Sequence, residues 1–101
     1  MASVSTESSS GSGVVIAVSG NFDFNVVQEF QQAYKEGEAK ADAFTVDMRD
    51  VDYMDSSALG MLLNMRKHLQ AESTEIRIAN CRPQIRRILE ISRFDKKFTL
   101  D

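Results

Sequence analysis

Apolar and polar positions divide the chain into alternating strands and helices. Residues 14–18 (VVIAV) are a continuous, mostly β-branched run closed by Ser19-Gly20, which predicts a buried strand. Residues 21–24 (NFDF) predict a loop, and Asn25 a helix N-cap. The helix runs over about 26–37, with Val27, Phe30 and Tyr34 recurring at helical spacing and Gly37 as its stop. Residues 43–48 (AFTVDM) predict a second strand that leads into a loop over 49–55 (RDVDYMD). A longer helix follows over about 57–71. Leu59, Leu62, Leu63 and Leu69 are expected on its core face and Met61 and Met65 on its flank, at about 100° per residue. Residues 75–79 (EIRIA) alternate as a strand does. Pro83 suits the first turn of a last helix carrying Ile85, Ile88 and Leu89 inward, and residues 98–100 suit a short final strand.

The order β-α-β-α-β-α-(β) predicts a single α/β domain over residues 14–101. Its sheet is mostly parallel or mixed, of four to five strands, with right-handed crossovers and helices mainly on one face. Residues 1–13 form a separate Ser/Gly-rich segment. Its SSSGSG stretch is read either as a tail or as a hairpin loop joined to an edge strand over about 2–6. No internal repeat is visible.

Composition narrows the class. The 101 residues are 43% hydrophobic and 27% charged, ordinary for one globular domain. The single cysteine, Cys81, excludes an internal disulfide or a cysteine metal cluster and fits a reducing compartment. No apolar run reaches the roughly 18 residues that span a bilayer. The N-terminal residues also lack the charged and apolar regions of a secretory leader. These features predict a cytoplasmic protein without membrane insertion. The net charge of −3 argues against nucleic-acid binding. The balance is uneven: residues 1–65 hold ten acids and three bases, and residues 66–101 hold nine bases and five acids.

Candidate chemistry concentrates in DYMDSSALGMLL, residues 52–63, where Asp55, Ser56 and Ser57 open a helix after a strand. In open α/β sheets, ligand and partner sites gather at the carboxyl ends of the strands. Asp and Ser are common helix caps, so capping accounts for one of the three. The stretch has more hydroxyls and carboxylates than one cap needs. Met61 and Met65 are adaptable apolar residues of a kind used on partner surfaces as well as in cores.

The sequence YMDSSALGMLL after FTVDM resembles the signature of STAS domains, in particular bacterial anti-sigma factor antagonists, whose pattern is Asp-Ser-Ser/Thr-Gly-Leu-Gly. Residues 14–23 (VVIAVSGNFD) are similar to that family's strand ending in Gly-x-x-Asp. Residues 76–91 (IRIANCRPQIRRILEI) are similar to its third strand, proline and amphipathic helix. The resemblance implies phosphorylation at Ser56, with Ser57 as runner-up, and acidic flanks at Asp23 and Asp55. It implies a partner surface over Asp23, Asp55, Ser56, Ser57, Ala58, Met61 and Met65. It implies two partners: an ATP-dependent serine kinase of the anti-sigma type, and a PP2C-type phosphatase. One position departs from the pattern. Ala58 stands where Gly is usual, adding a methyl close to the serine.

The function expected is a binding switch, not an enzyme, with no cofactor and no metal. No Gly-rich phosphate loop is present. His68 is expected to be solvated or edge-packed, and Cys81 to be a small packed residue. Asp47, Asp50, Asp52 and Asp55 lack calcium-loop spacing and read as a solvated acidic loop. The alternative is a non-phosphorylated STAS scaffold subunit of a transporter or signalling assembly. A nucleotide-turning enzyme is a third reading.

Overall fold

The computed structural model describes residues 3–8, 13–37, 43–69 and 75–101. Five strands form one sheet in sequence order: β1 (Ser3–Ser8), β2 (Gly13–Phe22), β3 (Ala43–Met54), β4 (Glu75–Ala79) and β5 (Thr99–Leu100). β1 lies antiparallel to β2, and the remaining neighbours are parallel. Of the hairpin loop considered for residues 8–13, Ser8 ends β1 and Gly13 begins β2, and residues 9–12 lie outside the described residues. Three helices fill the crossovers: α1 (Val27–Gly37), α2 (Ser56–Leu69) and α3 (Pro83–Ile91). Each crossover steps to the next strand in the same direction, so right-handed connections stack all three helices on one face.

Register explains the two faces. Ile16, Val46 and Ile78 lie in one row across the sheet, and Val14 and Phe44 pair one row away. These positions, with Val18, Met48 and Ile76, line the helix-covered face. There they meet Phe30 and Tyr34 of α1, Leu62 and Met65 of α2, and Ile85 and Leu89 of α3. The intervening positions (Val15, Ala17, Thr45, Asp47, Arg77) form a small, polar face that is partly exposed. Parallel sheets are normally covered on both faces. Here polar and short side chains suit one face to water.

Two expected loops are strand. β2 continues to Phe22 and β3 to Met54, correcting the loops expected at residues 21–24 and 49–55. The cause is a pair of irregularities. Ala17↔Asp47 is followed by Ser19↔Asp50, and Gly20↔Val51 by Asn21↔Tyr53, so β3 gains one extra residue at each step. Each such β-bulge resets which side chains face inward. Burial on β3 therefore runs Phe44, Val46, Met48, then Val51 and Met54, and the alternation that marks a strand is lost. Gly20 has φ 77°, a conformation costly for other residues, at this irregularity.

Helix boundaries shift for similar local reasons. Asp23, not Asn25, caps the start of the first helical segment, a single 3-10 turn (Phe24–Val26) ahead of α1. Its Oδ1 accepts the Asn25 N–H at 2.9 Å. Gly37 at the end of α1 lies so close to Phe44 that an added Cβ would sit 2.9 Å from its ring. α2 begins at Ser56, and the end expected near residue 71 lies outside the described residues.

Candidate functional site

The paired ends of β2 and β3 bring two acidic caps side by side. Phe22↔Met54 is their last register pair, so Asp23 and Asp55 are the next residues on adjacent chains. Asp55 is the N-cap of α2. Its Oδ1 accepts the Ser57 backbone N–H at 3.0 Å and the Ser57 hydroxyl at 2.5 Å, and its carbonyl accepts the Ala58 N–H at 3.1 Å. One carboxylate therefore satisfies an N-terminal amide that the helix cannot bond itself. The Ser57 hydroxyl bond, against the opposing effect of partial burial and with help from the Ser57 and Ala58 amides, holds the Asp55 carboxyl below the usual aspartate range.

This arrangement separates the two serines. Ser57 is half-buried and its hydroxyl is committed to Asp55. Ser56, the first helical residue, is exposed. Among the described residues its hydroxyl makes no side-chain hydrogen bond. It stands where backbone N–H groups and the helix dipole favour an anion. Ala58 is wholly buried, so its methyl points into the core and not toward Ser56.

The methionines are elsewhere than expected. Met61 and Met65 are 6% and 0% exposed and pack in the core with Ala58, Leu62 and Leu69, so neither they nor Ala58 offers a surface to a partner. Leu63, expected inside, is 39% exposed, and Leu59 is only partly buried. The helix is rotated from the leucine-centred reading. Unbranched, flexible Met fills the irregular space under the sheet, and a leucine faces out.

Exposed apolar groups that the sequence reading missed include two at this end and one along α2. Phe24 is 72% exposed and follows Asp23. Tyr53 is 53% exposed and immediately precedes Met54 on the bulged end of β3. Leu63 lies about 20° around α2 from Ser56 by helical geometry, two turns on. Tyr53 was hidden by the bulges.

The other acids are dispersed. Asp47 Oδ1 accepts from the Arg49 N–H at 3.0 Å and the Asn80 side-chain amide at 3.1 Å, while Asp52 pairs with Arg82 at 2.7 Å. Among the described residues no group of His, Cys, Asp and Glu is arranged to hold a metal ion. His68 is exposed, with its ring 5.4 Å from that of Tyr34. Burial pushes the Cys81 thiol up, against the pull of Arg86 and with a lesser push from Asp47. The thiolate that would react is thereby disfavoured. No described helix is long and apolar enough to cross a membrane.

The chain is 41% identical to a STAS-domain containing protein of Pseudomonas aeruginosa (strain UCBPP-PA14), over 99% of both chains. Its fold matches an anti-sigma factor antagonist from Mycobacterium paratuberculosis with a TM-score of 0.86 at 24% identity, covering 99% of this chain and 85% of that one. It also matches the Bacillus cell fate determinant SpoIIAA in its phosphorylated form, with a TM-score of 0.76 at 19% identity, covering 98% and 91%. The family model described as the STAS domain matches residues 3–101, and the chain belongs to the STAS domain family.

Proposed function

We propose that this chain is a phosphorylation-switched regulatory binding protein of the anti-sigma factor antagonist kind. Its unmodified form occupies a partner of the serine kinase, anti-sigma type. Phosphorylation of Ser56 by that kinase releases the partner, and a PP2C-type phosphatase restores binding. The single observation that carries this reading is the division of labour at the start of α2: Asp55 binds the Ser57 hydroxyl and leaves the Ser56 hydroxyl exposed and uncommitted. The structural relatives that are anti-sigma factor antagonists, one of them in a phosphorylated form, support it by fold.

The switch follows from charge and solvation. Phosphate adds about −1.5 to −2 charges at pH 7. The helix N-terminus accepts that charge locally, so the domain stays folded. A partner lying over Ser56 would instead have to strip water from the phosphate beside Asp23 and Asp55, which is unfavourable without matching cations. The surface it would cover includes exposed Phe24, next to Asp23, in place of the buried methionines. No step here requires catalysis by this chain. It supplies a hydroxyl, and the kinase supplies ATP chemistry.

The test has two parts. Phosphopeptide mapping of protein from its own cells is expected to place phosphate on Ser56 and not on Ser57. Binding of the purified kinase, measured by calorimetry, is expected to weaken by tenfold or more in Ser56→Asp and to persist in Ser56→Ala. Undiminished binding by the phosphorylated protein would falsify the switch. A stable assembly that never carries phosphate would favour the scaffold alternative.

A further inference from the structure

β1 is an outer strand, and among the described residues its far edge pairs with nothing. Ser3–Ser8 run beside β2 without a register shift, and the Ser3 and Ser19 hydroxyls lie 2.7 Å apart. Outer strands are usually blunted by proline, lysine, a bulge or an inward charge. β1 (SVSTES) has none of these. Its one charged residue, Glu7, pairs with Val15 and so lies on the open face of the sheet. A regular row of backbone N–H and C=O groups is left along the edge.

A groove follows this edge on the helix side. Val4 and Thr6 pair with the inward-facing Val18 and Ile16, so they turn toward α1. Glu29, Gln32, Ala33 and Glu36 recur at i, i+3, i+4 and i+7 and form one stripe of α1. Together with Val4, Ser5 and Thr6 they line a groove of about 190 Å³. Ala33 is buried and brings only a methyl group, while Glu29 and Glu36 are exposed. Glu36 accepts from the Gln32 amide at 3.1 Å. Among the described residues neither carboxylate has an ion-pair partner, and no cation lines the groove.

We propose that this edge and groove bind an extended segment of a partner protein, which adds as a strand beside β1 and carries lysine or arginine at alternate positions. A strand added at the usual spacing of about 4.8 Å turns every second side chain toward α1. A lysine or arginine there lays its methylene stem over Val4 and Ala33 and sets its charge at Glu29 or Glu36. Backbone bonds to β1 give affinity, and the two carboxylates select the sequence. They also disfavour a second copy of this chain. β1 against β1 across a two-fold axis sets the acidic stripes of two α1 helices toward each other, and β1 brings no cation to offset them. The inference goes beyond the phosphorylation switch and does not rest on it, because every residue lining the groove belongs to β1 or α1.

The test uses the whole isotope-labelled protein and a blocked eight-residue peptide alternating lysine and threonine. An NMR titration is expected to show saturable amide shifts confined to β1 and α1. Glu29→Lys with Glu36→Lys is expected to weaken binding tenfold or more, and Glu29→Gln with Glu36→Gln severalfold. Glu90→Lys with Asp95→Lys makes the same charge change on exposed sites elsewhere and is expected to bind much as the parent does. Only alternate amides of an added strand face β1. N-methylation of the peptide at its lysines or at its threonines is therefore expected to abolish binding for one set and spare it for the other. Equal effects from the two sets would mean charge attraction without strand pairing, and would overturn the inference. So would the absence of binding, or undiminished binding by the double lysine variant. Dimerisation of the chain through β1, seen by sedimentation, would put a second copy at the edge and overturn it too. Ser56→Asp is expected to bind the peptide as the parent does, so the peptide site and the switch stand or fail separately.

Discussion

α2 and α3 both follow parallel strands and begin at the same end of the sheet, yet they start in opposite ways. α2 opens on Asp55, Ser56 and Ser57, with a side-chain cap bound to the Ser57 amide and hydroxyl. α3 opens on Arg82 and Pro83 with no side-chain cap. Proline removes one amide that would need a partner, and the Arg82 carbonyl accepts the Ile85 and Arg86 N–H groups at 2.9 Å each. The Arg82 side chain turns away to Asp52 and to the Arg49 carbonyl. A helix at this place in the fold can therefore begin without any hydroxyl. One carboxylate and one serine suffice for α2, and the second serine is surplus to folding.

Three measurements would sharpen or break that comparison. The largest effect belongs to what the helices share, their inward faces. Leu62→Ala in α2 and Leu89→Ala in α3 each empty a fully buried site. Each is expected to cost about 2–5 kcal/mol in urea unfolding. A cost below about 1 kcal/mol for either would mean that its helix is held by something other than this core.

The next effect separates the two starts. Asp55→Ala is expected to lower Tm by a few degrees. Because the native carboxyl titrates below the ordinary value of 3.8, its contribution is complete above that pH and fades as pH falls through the lower native value. The gap between parent and variant should therefore close in acid. A gap that does not change with pH would show that packing, not the ionised cap, holds the start of α2.

The smallest effect is expected at the surplus hydroxyl. Ser56→Ala should change stability by no more than about 0.5 kcal/mol. Ser57→Ala should cost about 0.5–1.5 kcal/mol through its lost bond to Asp55. Equal costs for the two serines would erase the distinction between them.

The elements with one clear period were legible from residues alone. Strand residues 75–79, the inward Ile85 and Leu89 of α3, and the stripe through Phe30 and Tyr34 follow from spacing, because one face of each is apolar and the other polar, while strand residues 14–18 follow from their continuous, mostly β-branched run. Two features did not. The far half of β3 reads as a loop because two inserted residues move its buried positions from every second to every third, a shift visible only once the neighbouring strand is in place. The orientation of α2 was ambiguous because Ala58, Leu59, Met61, Leu62, Leu63, Met65 and Leu69 leave little of its circumference polar. Choosing leucines over methionines then put Leu63 inside and Met65 outside, the reverse of what packing selects. Asp23, Asp55 and Ser56 could be placed at the mouth of the sheet from the motif. Which serine stayed free required the 2.5 Å contact between Asp55 and Ser57.

β4 pairs with β3 only as far as Asp47, so the bulged half of β3 runs on as a free strand border. Such borders invite a second chain to add a strand and begin aggregation. This one is obstructed. The bulges break the even spacing that an added strand needs, and Arg49, Asp50 and Asp52 are exposed along it. The Arg82 guanidinium donates to the Arg49 carbonyl at 3.2 Å and so takes up an acceptor that an incoming strand would use. The end of the molecule that presents its aromatics to solvent is thus guarded against backbone pairing. A partner that binds there is not expected to do so by adding a strand to this border.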